Sequence, residues 1–273
     1  MRKIIKIGRF FFAVCMIGLA VQQCIYADFR IVIMPPIAST SIAKAIGVYI
    51  VSAGMIAASI AIIAEKQARF ACLILGGITL ALFVLVQVPY LLNTTPGFLA
   101  AWTSPLKELA ISGCYFVTAG SFNRDGFGRP AAIYRILGKL IPFGPAFFGI
   151  TMLIFGVEHF FYPAFVATLV PTWIPGAMFW TYFAGIALIA GGAAIIINIQ
   201  ASLAANLLGI AIFIWFIVLH IPRAIADPSS GDGNELASVF EAFGFSGICF
   251  VMGYMMTKKS VTEKTAAHSF LVT

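Results

Sequence analysis

The chain has 273 residues, of which 61% are hydrophobic and only 10% charged, against about 25% charged in a soluble domain. No water-soluble fold of this size hides that much apolar surface, so an integral membrane protein is expected. The net charge of +7 sits in short segments between apolar runs and at the ends, with no basic patch interleaved with aromatics. That excludes a nucleic-acid partner from the reading and suits charges that orient a chain in a bilayer.

A helix crosses the hydrocarbon with about 20 mostly apolar residues. Eight segments qualify approximately: 7–26, 45–64, 68–91, 106–122, 142–162, 179–197, 202–222 and 236–257. The runs are long and continuous rather than alternating, which predicts helices and not barrel strands. The first segment, opening MRKIIKIGRFFF and ending IYA, has the layout of a secretory signal peptide. Its pattern returns in mid-chain, so a retained helix is expected instead. The fourth segment is the shortest.

The mid-chain return is a repeat. Gly8 to Phe29 and Gly144 to Phe165 share seven identities at an offset of 136, among them Gly8/Gly144, Phe12/Phe148, Met16/Met152 and Tyr26/Tyr162. At an offset of 133 the match resumes with Tyr49/Tyr182, Gln67/Gln200, Gly76/Gly209 and Pro89/Pro222. The expected fold class is an all-α membrane protein of about eight transmembrane helices, arranged as two tandem four-helix repeats in parallel orientation. Residues 1–122 form the first repeat, 123–140 a linker, 141–257 the second repeat and 258–273 a polar tail expected to be mobile.

Charge placement sets the orientation. With the N-terminus inside, 13 of the 17 basic residues are cytoplasmic, including Arg9, Lys66, Arg69, Arg124, Arg129, Arg135, Lys139, Lys258, Lys259 and Lys264. Only Arg30, Lys44, Lys107 and Arg223 fall outside. Both termini are therefore expected in the cytoplasm of a multi-pass protein of the cell inner membrane. Four spans per repeat give the two repeats the same sense, related by an axis along the membrane normal.

Polar residues inside a bilayer are costly and mark function by default. Here they gather at the predicted outer rim: Gln22, Gln23, Gln87, Glu158, His159, His220, Arg223 and Glu241, with Glu108 beside them. The repeat aligns Gln22 and Gln23 with Glu158 and His159, and Gln87 with His220. The first half thus carries amides where the second carries titratable groups. Histidine exchanges protons near neutral pH and an amide does not, so a ligand site is expected in the second half. The two histidines are expected to face each other if the fifth and seventh helices are neighbours. Glu158 is expected to hold a histidine proton or to pair with Arg223. The competing reading is a hydrogen-bonded structural network between helices, with Arg223 reaching for the headgroups.

Metal and haem are the less favoured cofactors, since no HExxH or His-x-His spacing occurs. No GxSxG, Walker or GxGxxG pattern is present either. The five cysteines form no CxxC pair and read as small buried hydrophobes. The uncharged stretch 168–180, TLVPTWIPGAMFW, reads as an interfacial anchor, with a lid over a lipid-soluble ligand as the alternative.

The runs FGVEHFFYPAFVATLVPTWIP, FAGIALIAGGAAIII and LLGIAIFIWFIVLHIPR resemble the DoxX/DoxD-like membrane family. The resemblance covers about 144–257 and reaches 8–122 through the repeat. It implies a four-helix unit and, for some members, a redox-linked membrane subunit such as that of thiosulfate:quinone oxidoreductases. No catalytic residue transfers with it. Carrying two units departs from the family pattern and puts an obligate dimer in doubt. The leading expectation is a quinone-linked or redox-accessory subunit whose partners are membrane lipids and a redox subunit. The alternatives are a non-enzymatic small-molecule transporter or binding protein, and a membrane assembly partner.

Overall fold

The computed structural model describes residues 2–36, 41–123 and 132–271. It is 85% helical, with no strand among the described residues. Among the described residues seven helices are long and apolar enough to span a membrane, as an all-α membrane protein requires. Residues 124–131 of the linker, including Arg124 and Arg129, lie outside the described residues, as do the side chains of Lys258, Lys259 and Lys264.

In chain order, α1 spans Arg2–Tyr26 and α2 spans Ile42–Ala64. Helix α3 (Ala68–Leu82) passes through a π-helical turn, Phe83–Gln87, into α4 (Val88–Thr94). Helix α5 covers Thr103–Ser121 and the short α6 covers Ala132–Gly138. Helix α7 (Gly144–Phe161) is followed by the short α8 (Pro163–Leu169) and by α9 (Ala177–Ile196). Helix α10 (Ala201–Trp215) passes through a second π turn, Phe216–His220, into α11 (Ile221–Ala226). Helix α12 spans Ser230–Leu271, with left-handed backbone at Gly231, Asp232 and Gly233 near its start. The tail expected to be mobile is helical as far as Leu271.

The seven apolar helices include every expected span except the fourth. All but the last residue of that segment falls within α5, whose first two turns carry Thr103, Lys107 and Glu108 and which is buried along most of its length.

Local backbone geometry recurs along the chain. The two π turns lie 133 residues apart, and each stands just ahead of a proline, Pro89 or Pro222. Proline has no N–H and crowds the carbonyl four residues back, and an inserted π turn absorbs that misfit. The tight connections α2–α3 and α9–α10 also match. Glu65 and Gln67 (φ 55° and 53°) correspond to Asn198 and Gln200 (φ 57° and 48°). Left-handed backbone is uncommon away from glycine, so both connections use the same unusual solution.

Packing follows one pattern. Helix α1 packs on α2 and α12, α2 on α3, and α3 on α5. In the other half α7 packs on α9 and α5, α9 on α10, and α10 on α12. Exchanging α1, α2, α3 and α5 for α7, α9, α10 and α12 leaves these pairs unchanged. Helices α5 and α12 meet in the middle, and their residues Ile111, Phe116, Ile248 and Val251 are wholly buried. The outer faces are apolar, with Ile50, Leu85 and Phe179 each more than 60% exposed. Lipid accepts such faces and water does not.

Small residues set the closest approach. On α7 and α9, Gly156 lies against Gly185 and Gly149 against Gly192; a Cβ at Gly156 would come within 2.6 Å of the Gly185 carbonyl oxygen. The corresponding α1–α2 positions are Ala13, Ala20, Ser52 and Ser59, all fully buried. Such seams let membrane helices gain dispersion contacts where no hydrophobic force drives them together.

Candidate functional site

The expected site residues divide into two groups at the end of the bundle where α1 and α7 finish. In the first half they are closed off by protein. Residues 27–36 leave α1 and fold back, burying Arg30, Val32, Ile33 and Pro35. Gln23 donates to Ser52 Oγ at 3.0 Å and accepts the Arg30 N–H at 3.3 Å. Gln87, the last residue of its π turn, donates to the Ile31 carbonyl at 3.1 Å. Gln22 donates to the Gly233 carbonyl at 3.0 Å, and Arg30 reaches the Asp232 carbonyl at 2.6 Å. The returning loop is a plug, and the amides of Gln23 and Gln87 are its fasteners.

In the second half the same stretch of chain does not fold back. Pro163, aligned with Ala27, starts α8, a short surface helix that carries Phe165 outward. Inside it is a cavity of about 630 Å³ between α7, α9, α10, α12 and the start of α5. Its walls are mostly apolar, including Phe155, Leu188, Trp180, Trp215 and Phe245. Val166, Leu169 and Val170 contribute to its rim. The polar side chains on it include Thr103, Lys107, Glu158, His159, Thr181, His220, Ser238 and Glu241. Both the volume and a mainly apolar wall with a few convergent polar groups are those of small-molecule sites.

The structure thus brings Glu158, His159, His220 and Glu241 to one cavity and keeps Gln22, Gln23 and Gln87 out of it. Three expected details are corrected. Arg223 does not pair with Glu158 and does not line the cavity; it forms a two-point ion pair with Glu235, at 2.9 and 2.5 Å. Glu158 instead accepts from the Thr103 hydroxyl at 3.0 and 3.2 Å. His159 gives its Nδ1 hydrogen to the Phe155 carbonyl at 2.7 Å, one helical turn back, so Glu158 does not hold it. Helix α7, which carries His159, does not pack as a neighbour of α10 or of the π turn that carries His220, because α9 and the cavity lie between them.

The two halves explain each other at single residues. Ser52, the partner of Gln23, is replaced by Gly185, which packs on the Cβ of His159. With no hydroxyl opposite, the imidazole finds its own helix carbonyl. Ile31, whose carbonyl occupies Gln87, corresponds to Ala167 on the displaced α8. His220 accordingly keeps a buried Nδ1 with no hydrogen-bond partner among the described residues.

Sequence reasoning missed Thr103, Lys107 and Ser238 as site residues. Lys107 Nζ pairs with Glu241 Oε2 at 2.6 Å. The legible signal was a further match at an offset of 134, SGCYFV at 112–117 against SGICFV at 246–251. It sets Lys107 opposite Glu241, where α5 meets α12. Glu108, one residue on, is wholly buried beside Gln87, and neither of its oxygens has a hydrogen-bond partner among the described residues. The corresponding position is Ala242.

A hollow of about 360 Å³ opens at the opposite end of the bundle, lined by Lys6, Arg9 and Glu65. Its cations are already engaged, Lys6 with Glu65 at 3.2 Å and Arg9 with Glu65 at 3.6 Å, and Arg9 also bonds Ser121 at 2.8 Å and stacks on Phe122. That closed network holds α1 to α5. Among the described residues no three His, Cys, Asp or Glu side chains gather as a metal site.

Residues 148–239 match the model of a domain of unknown function, DUF8561. The match spans a third of the chain, from α7 into α12, and contains Glu158, His159, His220 and Ser238 but not Thr103, Lys107 or Glu241. Nothing in it links the chain to the DoxX/DoxD-like family. No curated protein and no solved structure matches the chain.

Proposed function

We propose that the chain is a DoxX-like inner-membrane protein whose second half binds a quinone-like molecule in a redox-accessory role. The cavity carries this reading. A quinone ring needs an apolar slot near the membrane surface and hydrogen-bonding groups for two oxygens, and His159 and His220 stand on one such slot. The lining supports a lipid-soluble ligand over a charged one, because its one ammonium, Lys107, is already neutralised by Glu241.

In this reading the bundle has eight spans in two parallel four-helix units, with α5 as the fourth. The paired π turns, the paired left-handed connections and the exchangeable packing pattern support it. The cavity end faces outward and both termini face the cytoplasm. Charge supports that orientation: at the cavity end Lys44, Lys107 and Arg223 pair with Asp28, Glu241 and Glu235, and Arg30 bonds a carbonyl. The basic excess is left at the other end, as the positive-inside rule asks.

The test is titration of the purified protein in lipid nanodiscs with a short-tailed quinone–quinol pair, with intrinsic tryptophan fluorescence as the readout. Trp180 and Trp215 on the cavity wall should report binding. Absence of binding by both members of the pair, or binding unaltered in both His159→Ala and His220→Ala, overturns the reading.

A further inference from the structure

Because the halves correspond, the plug shows what a ligand must present. At the first-half position of His159, Gln23 Oε1 accepts an N–H from Arg30. At the position of His220, Gln87 Nε2 donates to the carbonyl of Ile31. The plug therefore supplies one donor and one acceptor to these two places. In the second half the plug is gone and the cavity takes its place.

At the first of these places the side chain on the cavity asks for the same donor. The Phe155 carbonyl can only accept, so the hydrogen on His159 is at Nδ1. The neutral ring then offers the lone pair of Nε2, which is an acceptor in search of a donor. His220 keeps an unpartnered Nδ1 in a buried position. A quinone presents two carbonyl oxygens and no hydrogen. Against His159 Nε2 it would set lone pair against lone pair and leave a buried acceptor unmet, which is costly. A quinol presents hydroxyls, one of which donates to His159.

We propose that the cavity selects the reduced, hydroxyl-bearing form of its ligand, with His159 Nε2 as the group that reads the hydroxyl hydrogen. The proposal rests on the quinone-like reading of the site and goes beyond it by assigning the redox form. His159 and His220 act here as binding residues. No bond is made or broken and no electron is moved.

Anaerobic titration of the nanodisc-held protein with duroquinol and, separately, with duroquinone tests it. Duroquinol should bind at least about tenfold more tightly, the factor that one met against one unmet buried hydrogen bond gives. In His159→Gln the side-chain amide offers either an oxygen or an N–H, so the preference should fall towards one while some binding of both forms persists. A thermal melt of the variant shows whether it remains folded. Equal binding of the two forms by the unaltered protein, or tighter binding of duroquinone, overturns the redox preference and leaves the ligand class standing. Binding of neither form overturns both. An unchanged preference in a folded His159→Gln protein removes His159 as the reading group.

Discussion

The plug of the first half and the cavity of the second are built on corresponding positions and do opposite things. Around the plug, Gln23 and Gln87 spend their amides on Ser52 and on the returning main chain. Around the cavity, Ser52 has become Gly185, the returning segment has become α8, and the histidines keep nitrogens to spare. The contrast teaches how a candidate site arises between membrane helices. Buried polar groups must be satisfied, and a fold can meet that demand from within or leave it for a ligand. One loop, folded in or folded out, decides between the two.

Four experiments break or sharpen the comparison. The largest effect is expected at the ion pair where the halves meet. Lys107→Met leaves Glu241 buried without its partner and should cost about 3 kcal/mol or more; the double variant with Glu241→Leu should recover most of it. Denaturation in detergent measures both, and a double variant no better than the single one would show that the charges do not act as a pair.

Next come the two aligned residues, tested for separate roles. Gln23→Ala strands the Ser52 hydroxyl and the Arg30 N–H, so it should lower stability by about 1–3 kcal/mol while leaving ligand affinity within about twofold. His159→Ala should do the reverse. It should weaken binding at least about tenfold, a loss of about 1.4 kcal/mol of binding free energy, with a melting temperature close to that of the unaltered protein. If both changes act on stability alone, the halves differ in sequence but not in purpose. The smallest effect is expected for Arg223→Ala. Its pair with Glu235 is partly exposed, so about 1 kcal/mol or less should be lost, with ligand binding unchanged because neither residue lines the cavity.

Much of the fold was legible. The apolar runs fall on the helices, and the offset of 133 predicted from Gln67/Gln200 and Pro89/Pro222 returns as paired left-handed residues and paired π turns. The candidate site was legible as a contrast between Gln23 and His159 and between Gln87 and His220, because a change from amide to imidazole is visible in letters. Arg223 was misread because its partner, Glu235, lies 12 residues on, past the left-handed turn at Gly231–Gly233. Local spacing says nothing about contacts across such a turn. The plug was invisible for a related reason. Apolar residues such as Val32 and Ile33 read alike in a lipid-facing loop and in a buried one, and only the packed chain separates the two. Lys107 was overlooked because it was counted as a surface charge, and its burial depends on a glutamate 134 residues away.

The Lys107–Glu241 pair has a consequence for how such a molecule assembles. Corresponding residues touch only near the line about which the halves exchange. At such a line a homodimer is forced to set a residue against its own copy. Two first halves would bring lysine to lysine, and two second halves glutamate to glutamate, each a repulsion in a medium of low dielectric constant. Only the mixed pairing is attractive. The ion pair is therefore a lock and key between unlike halves, and it discourages either from recruiting its twin.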